Sequence, residues 1–119
     1  MLKRARAKGF PCVQAAAEAL PFPAGAYGRI VVVDAFHHLA DQAQALREMW
    51  RVLAPGGRAI LEEPDIGHLA VRGIALGERL LLMRSHFRPA EWIAESLADL
   101  GGQVRIVREG LFYWVVAQK

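Results

Sequence analysis

The sequence predicts an α/β fold, and three features of its apolar patterning predict it. The run IVVV at 30–33 is apolar at every position, which is typical of a strand in a parallel sheet with both faces covered. An amphipathic segment with helical spacing comes next, and a second strand-like run, RAILEE, follows it at 58–63. Strands that alternate with helices along a chain indicate parallel pairing through right-handed crossovers.

The chain before the first of these strands is predicted to form a short helix, a short strand and a loop. Residues 2–8 suit a helix, and Gly9 and Pro11 stop it. CVQAA at 12–16 suits a short strand. LPFPAGAYG at 20–28 is a loop, because it contains two prolines and two glycines.

The first long strand is predicted at 29–34, and a helix follows it. Asp41 is the expected N-cap: its carboxylate accepts from the N–H of Gln44, whose side chain reaches back as in a capping box. The apolar stripe of this helix consists of Ala43, Leu46, Met49, Trp50 and Leu53. APGG at 54–57 ends the helix, because proline cannot continue it and glycine permits a left-handed turn.

The rest of the chain is predicted to contain two helices and a hairpin. Residues 69–86 suit a helix, and a second helix begins at Pro89 and stops at Gly101. QVRIVRE and LFYWVVAQ flank a turn at Gly110, so the last strand runs antiparallel to its neighbour. The predicted sheet is therefore mostly parallel, with an antiparallel C-terminal strand.

Length and composition limit the classes of function. A chain of 119 residues with 54% hydrophobic residues forms one domain rather than a disordered segment. No apolar run reaches the ~18 residues of a membrane span. One cysteine, Cys12, forms no internal disulfide, which favours a reducing cytoplasm. The net charge of +3 is concentrated near the N-terminus without interleaved aromatic residues, so a solvated helix face is favoured over nucleic-acid binding.

Two strands of the predicted sheet end in titratable side chains. Asp34, His37 and His38 follow the first strand, and Glu62 and Glu63 end the second. Ligands of open α/β sheets lie outside the carboxyl ends of the strands, so a crevice is expected here. Two adjacent histidines are poorly placed to chelate one ion, so no metal site is predicted.

These residues resemble the later motifs of class I S-adenosylmethionine-dependent methyltransferases, in particular the ubiquinone and menaquinone C-methyltransferases. The joint pattern is AEALPFP at 17–23, a β-rich run ending in HHL, and RVLAPGG at 51–57. It continues through FRPAEWIAESLADLGG to the closing strand. The resemblance implies an incomplete Rossmann-like sheet, because the family begins with a strand and a GxGxG turn that this sequence does not contain. It also implies a single truncated domain over 1–119, with a helical cap insertion at 65–88.

The resemblance assigns roles to individual positions. The positions implied to border the adenine and methionine parts of S-adenosylmethionine are Ala16, Ala17, Glu18, Asp34, Ala35 and Phe36. The positions implied on the substrate side are His37, His38, Glu62 and Glu63. A histidine is the best candidate for a catalytic base, because an unperturbed imidazole titrates near neutral pH, and the glutamates come next.

The expected function is therefore methyl transfer from S-adenosylmethionine to a small molecule, or the C-terminal portion of such an enzyme. Weak cofactor binding and low activity are expected of the isolated chain, because the glycine-rich turn and the acid that holds the ribose are missing. The alternative is a non-catalytic oligomeric domain built on the second half of the fold. The missing first strand would leave IVVVD with an unpaired edge, which favours a homo-oligomer.

Overall fold

A computed structural model describes residues 2–80 and 85–119, which form one sheet flanked by helices. The strands are β1 (Tyr27–Val33), β2 (Leu53–Pro64), β3 (Gln103–Glu109) and β4 (Phe112–Gln118). The helices are α1 (Leu2–Ala7), α2 (Gln42–Val52), α3 (Leu69–Leu80) and α4 (Ala90–Asp99), with a 3₁₀ turn at Phe36–His38.

The sheet has the strand order β1-β2-β4-β3. β1 pairs parallel with β2, with Val32 opposite Leu61, and β4 pairs antiparallel with both β2 and β3. Strands β1, β2 and β3 therefore point in one direction, and β4 alone points the other way. The predicted α/β class and the antiparallel C-terminal strand are both confirmed.

One face of the sheet carries the core. Leu61 of β2 and Val115 of β4 are fully buried, and they pack with Leu46 of α2 and with Ile93 and Leu97 of α4. Complete burial of one such aliphatic side chain contributes about 1.5–3 kcal/mol. Helices α2 and α4 therefore pack on this face of the sheet and cover it.

The other face of β1 is exposed, which corrects the expectation of a strand covered on both sides. Ile30 and Val32 are half-buried toward the core, but Val31 is 60% exposed and Val33 is 54% exposed. Both helices that contribute to the core lie on the face of Val32. The apolar run 30–33 of β1 therefore supplies one packed face and one open apolar face.

Three predicted elements differ from the observed ones. β2 begins at Leu53, so the segment 54–57, predicted as the turn that ends the helix, lies within the strand. The strand at 12–16 is not formed: Ala16 makes only an isolated bridge with Ala19. Alanine is a weak strand former, and no strand in the described ranges pairs with this segment. Of the helix predicted at 69–86, the structure describes Leu69–Leu80 as helical, and Ser85 and His86 are not helical. The part of that prediction at 81–84 lies outside the described residues.

The N-terminus of α2 confirms half of the predicted capping box. The Asp41 carboxylate accepts from the Gln44 N–H at 2.9 Å. The N–H of Asp41, however, donates to the Glu18 carboxylate at 3.1 Å, and the Gln44 side chain donates to the Glu18 carbonyl at 3.3 Å. An ionised carboxylate accepts more strongly than an amide, so Glu18 takes the place predicted for Gln44. The loop before β1 is thereby tied to α2.

In the ranges that the structure describes, no helix is both long and apolar enough to cross a membrane.

Candidate active site

The carboxyl ends of β1 and β2 meet, as the sequence predicts. The N–H of Asp34 donates to the carbonyl of Glu62 at 2.9 Å, directly beyond the last strand pair. Asp34 then adopts a φ of 47°, a left-handed conformation that aspartate tolerates better than most residues. This turn carries the chain out of the sheet and into the 3₁₀ turn.

Glu63 is the centre of the site. Its side chain is buried, with 2% of the residue exposed. One carboxylate oxygen accepts the N–H groups of Ala35 at 3.0 Å and Phe36 at 2.7 Å. The other oxygen accepts the His37 N–H at 3.3 Å and lies 2.5 Å from Nδ1 of the same histidine. A buried carboxylate requires such partners, so Glu63 fixes both the backbone of the turn and the imidazole.

The pairing with Glu63 sets the proton arrangement of His37. Opposite an ionised carboxylate, Nδ1 carries a proton, which places the lone pair of a neutral ring on Nε2. The ring is buried and stacks on Phe87, with centroids 4.4 Å apart and an interplanar angle of 13°. The ring of His38 lies against it at 4.0 Å with a tilt of 52°. The imidazole is therefore held at Nδ1 and on its face.

The other two residues predicted on the substrate side are placed differently. His38 is exposed, and its Nδ1 lies 3.3 Å from the hydroxyl of Ser85. Glu62 lies on the opposite face of the sheet from Glu63, because neighbouring side chains of a strand alternate. There it accepts the indole N–H of Trp114 at 2.8 Å. His37 and Glu63 therefore form one unit, and Glu62 stands apart from it.

A cavity of about 200 Å³ opens beside His37. Its lining residues are Asp34, His37, Pro64, Val71, Phe87, Leu111 and Phe112. Only the aspartate and the histidine among them carry polar side chains. Two of the apolar residues, Val71 and Phe87, come from the region predicted as a cap at 65–88. In the described part of the chain, no three His, Cys, Asp or Glu side chains converge as metal ligands.

The segment 85–88, here called the strap, crosses the site; it is the last part of the region 65–88 that the resemblance implies as a cap. The N–H of His86 donates to the His37 carbonyl at 2.7 Å. The hydroxyl of Tyr113 donates to the Arg88 carbonyl at 2.8 Å, and burial is the main cause that raises the pKa of this tyrosine. The sequence indicates the strap only weakly, because Pro89, where the next helix is predicted to begin, is the one residue that marks its boundary.

The positions implied to border the cofactor lie in two loops. In the first, the N–H of Asp41 is the main cause that lowers the pKa of Glu18, whose carboxylate therefore serves α2. Ala16 is exposed beside it. In the second, Asp34 is exposed and lines the cavity, Ala35 is exposed, and Phe36 is buried in the core. Small side chains and an exposed carboxylate suit one flank of S-adenosylmethionine, which has a flat adenine ring and an ammonium group.

Loop 20–22 is fastened to α2 by an ion pair. Arg51 contacts the Glu48 carboxylate through Nε at 2.7 Å and through a terminal nitrogen at 2.8 Å. The same guanidinium donates to the carbonyls of Phe22 at 2.9 Å and Leu20 at 3.0 Å. The Leu20 N–H donates back to the Glu48 carboxylate at 2.9 Å.

This ion pair predicts loosening of the loop in acid. The side-chain hydrogen bond from Arg51 is the main cause that lowers the pKa of Glu48 from 4.5 to about 2. Because the pKa is lower in the folded chain, the stabilising effect is complete above pH 4.5 and is lost as the pH falls toward 2. NMR titration of the Leu20 amide is expected to show a midpoint well below 4.5, and Glu48→Gln is expected to abolish it. A midpoint at the ordinary glutamate value would contradict the pairing.

Comparison with known proteins identifies the family. Residues 1–61, just over half of the chain, match the family model described as a methyltransferase domain. The chain belongs to the class I S-adenosylmethionine-dependent methyltransferases. The region matched includes the loop at 16–18, β1 and the 3₁₀ turn that carries His37.

Relatives of this methyltransferase chain are longer than it is. It is 47% identical over 99 residues to the ubiquinone/menaquinone biosynthesis C-methyltransferase UbiE of Edwardsiella ictaluri, covering 83% of this chain and 37% of the relative. It is 43% identical over 63 residues to a demethylmenaquinone methyltransferase of Thermus thermophilus, covering 51% and 29%. The chain therefore spans well under half the length of either curated relative.

A solved structure supports the fold. It is an S-adenosylmethionine-dependent methyltransferase of Thermotoga maritima, described as a possible histamine N-methyltransferase. It matches with a TM-score of 0.87 at 20% identity, over 100% of this chain and 69% of that one. At this identity the likeness shows the fold alone.

Proposed function

We propose that this chain forms the acceptor side of an S-adenosylmethionine-dependent methyltransferase and that it has low activity by itself. The observation that carries the proposal is the pair of His37 and Glu63, held at the wall of a cavity where β1 and β2 end. The apolar lining supports a small apolar acceptor. One curated relative is named as a ubiquinone/menaquinone biosynthesis C-methyltransferase and the other as a demethylmenaquinone methyltransferase, which agrees with an acceptor of that character.

The chemistry assigned to the chain is alignment, desolvation and proton removal. S-adenosylmethionine, when bound, supplies a methyl group on an activated sulfonium, whose carbon–sulfur electron pair stays with sulfur. The cavity walls orient the acceptor and exclude water from it. His37 takes the proton of the acceptor atom, and Glu63 stabilises the resulting imidazolium through Nδ1. His38 and Glu62 are secondary candidates, because one is exposed and the other binds Trp114 on the far face.

We assign one flank of the cofactor to the loops at 16–18 and 34–36. The backbone N–H groups of Ala35 and Phe36 already donate to Glu63, so they do not serve the ligand. The sequence contains no GxGxG turn. Each hydrogen bond that is not made costs about 1 kcal/mol, and every 1.4 kcal/mol is about tenfold in affinity, so weak binding follows.

NMR titration of the full chain with S-adenosylmethionine tests this proposal. We expect small, saturable shifts in the amides of 16–18 and 34–36, with a millimolar dissociation constant and no shifts in β3. Tight, micromolar binding would contradict the expected weakness. No shift in either loop at the highest soluble concentration of S-adenosylmethionine would contradict the assignment of the cofactor flank and favour the non-catalytic alternative.

A second proposal, favoured by the exposed edge of β1, is that the chain forms a homodimer in the cytoplasm. β1 and β3 are the two edges of the sheet. The β3 edge carries Arg105, Arg108 and Glu109, charges of the kind that prevent edge pairing. β1 is aliphatic in its centre, with Arg29 near its start and Asp34 just after its end. Antiparallel pairing of two β1 edges brings these opposite charges toward each other.

Light scattering after size exclusion tests the dimer. Val31→Lys introduces a charge on the exposed face of the β1 edge and is expected to convert dimer to monomer. Val107→Lys is the matched control, because Val107 is also exposed but lies on the β3 edge. A wild-type chain that stays monomeric at high concentration would contradict the dimer, and so would equal dissociation by both variants.

A further inference from the structure

Gln42 joins α2 to two parts of the site, the 3₁₀ turn and the strap, through one amide group. It occupies the first position of α2 and is buried, with 5% exposed. Its Nε2 donates to the Phe36 carbonyl at 3.1 Å and to the His86 carbonyl at 2.6 Å. Its Oε1 accepts from Nε of Arg88 at 3.0 Å. Both amide protons and the amide oxygen are thereby used, so the orientation of the side chain is determined.

These contacts determine where Phe87 lies. Its two neighbours in the strap, His86 and Arg88, are both bound to Gln42, one through its carbonyl and one through its guanidinium. Arg88 is held further by Trp92, whose ring centre lies 4.6 Å from its guanidinium carbon. With both neighbours fixed, the ring of Phe87 is directed onto His37 and into the cavity wall.

We propose that Gln42 is a positioning residue, which holds the strap so that Phe87 stacks on His37 and closes the apolar wall of the cavity. Its relevance to catalysis rests on the proposed function, but the geometry it controls does not. Gln42 touches neither the cavity nor the imidazole. It acts through the strap on one side and through the Phe36 carbonyl, next to His37, on the other.

The test compares two glutamines of one helical turn. Gln42→Met keeps the length of the side chain and removes all three hydrogen bonds. Gln44→Met is the matched control, because Gln44 lies in the same turn and contacts the Glu18 carbonyl instead of the strap. Two readouts are used on the full chain: NMR contacts between the His37 and Phe87 rings, and the affinity of phenol, a small aromatic probe, for the cavity.

Gln42→Met is expected to retain its circular dichroism spectrum, to lose the contacts between the two rings, and to bind phenol about tenfold more weakly. Gln44→Met is expected to leave both readouts unchanged. Wild-type ring contacts in Gln42→Met would overturn the proposal, and so would equal losses in the two variants. If Gln42→Met does not fold, Gln42→Glu replaces it, because it retains the acceptor for Arg88 and loses both donors.

Neither readout involves S-adenosylmethionine or methyl transfer. Failure of the cofactor titration therefore leaves the positioning role intact, and unchanged ring contacts in Gln42→Met leave the proposed function intact.

Discussion

Glu63→Ala is expected to lower the free energy of unfolding by about 3–5 kcal/mol, the range for breaking a buried charged pair. The substitution leaves the N–H groups of 35–37 and the Nδ1 of His37 without their acceptor in a buried turn. In a domain of this size each kcal/mol shifts the melting temperature by about 3–5 °C, so we expect a fall of about 9–25 °C. Thermal unfolding followed by circular dichroism measures it.

Glu62→Ala is the control for this experiment. Glu62 has the same chemistry and the neighbouring position in β2, but its side chain is half-buried and binds only the Trp114 indole among the described hydrogen bonds. Its loss is expected to cost about 1 kcal/mol. Equal destabilisation by the two substitutions would contradict the prediction that the contacts of Glu63 stabilise the fold more than the single described contact of the Glu62 side chain.

Gly57→Ala is expected to destabilise the fold by about 1–3 kcal/mol, as overpacking of a close-packed site does. A Cβ atom at this position would lie 2.8 Å from the Ala54 carbonyl oxygen and 2.8 Å from a methyl carbon of Leu53. The backbone cannot easily move away, because Gly57 accepts the Lys119 N–H at 3.0 Å. Urea unfolding measures the change in the free energy of unfolding, with one m-value (its dependence on urea concentration) used for both variants.

Gly73→Ala provides a control with the opposite sign. Gly73 lies in α3 and is exposed, and a Cβ atom there meets nothing within 4 Å. Alanine in a helix interior is favoured over glycine by about 0.5–1 kcal/mol, so this variant is expected to be slightly more stable. A neutral or stabilising Gly57→Ala would contradict the close packing of Gly57 against Leu53 and Ala54 at the start of β2.

Local chemistry made much of the fold predictable. The Asp41 cap and the turn at Gly110 depend on residues that are near each other in sequence, and both are present. The meeting of the loop after β1 with the end of β2 was also predictable, because parallel strands place their carboxyl ends at one edge. Glu63 rather than Glu62 pairs with His37 because neighbouring side chains of a strand lie on opposite faces of the sheet. Which of the two lies on the face of His37 depends on the register of the sheet.

Contacts between residues distant in sequence were not predictable. Gln42 is a polar residue at the start of an amphipathic helix, and its partners in the strap are more than forty positions away. The open face of β1 was missed for a related reason. The composition of IVVV shows that both faces are apolar, but it does not show that α2 and α4 would pack on the same side.

The central claim is that Glu63 holds the imidazole of His37 at the wall of the cavity. The ring nitrogens of the histidines, observed by ¹⁵N NMR, test it most directly, with the exposed His38 and His86 as internal references. We predict a slowly exchanging Nδ1 proton on His37 that is absent from the two references and is lost in Glu63→Ala. A His37 ring that exchanges its proton as fast as the exposed histidines would contradict the claim.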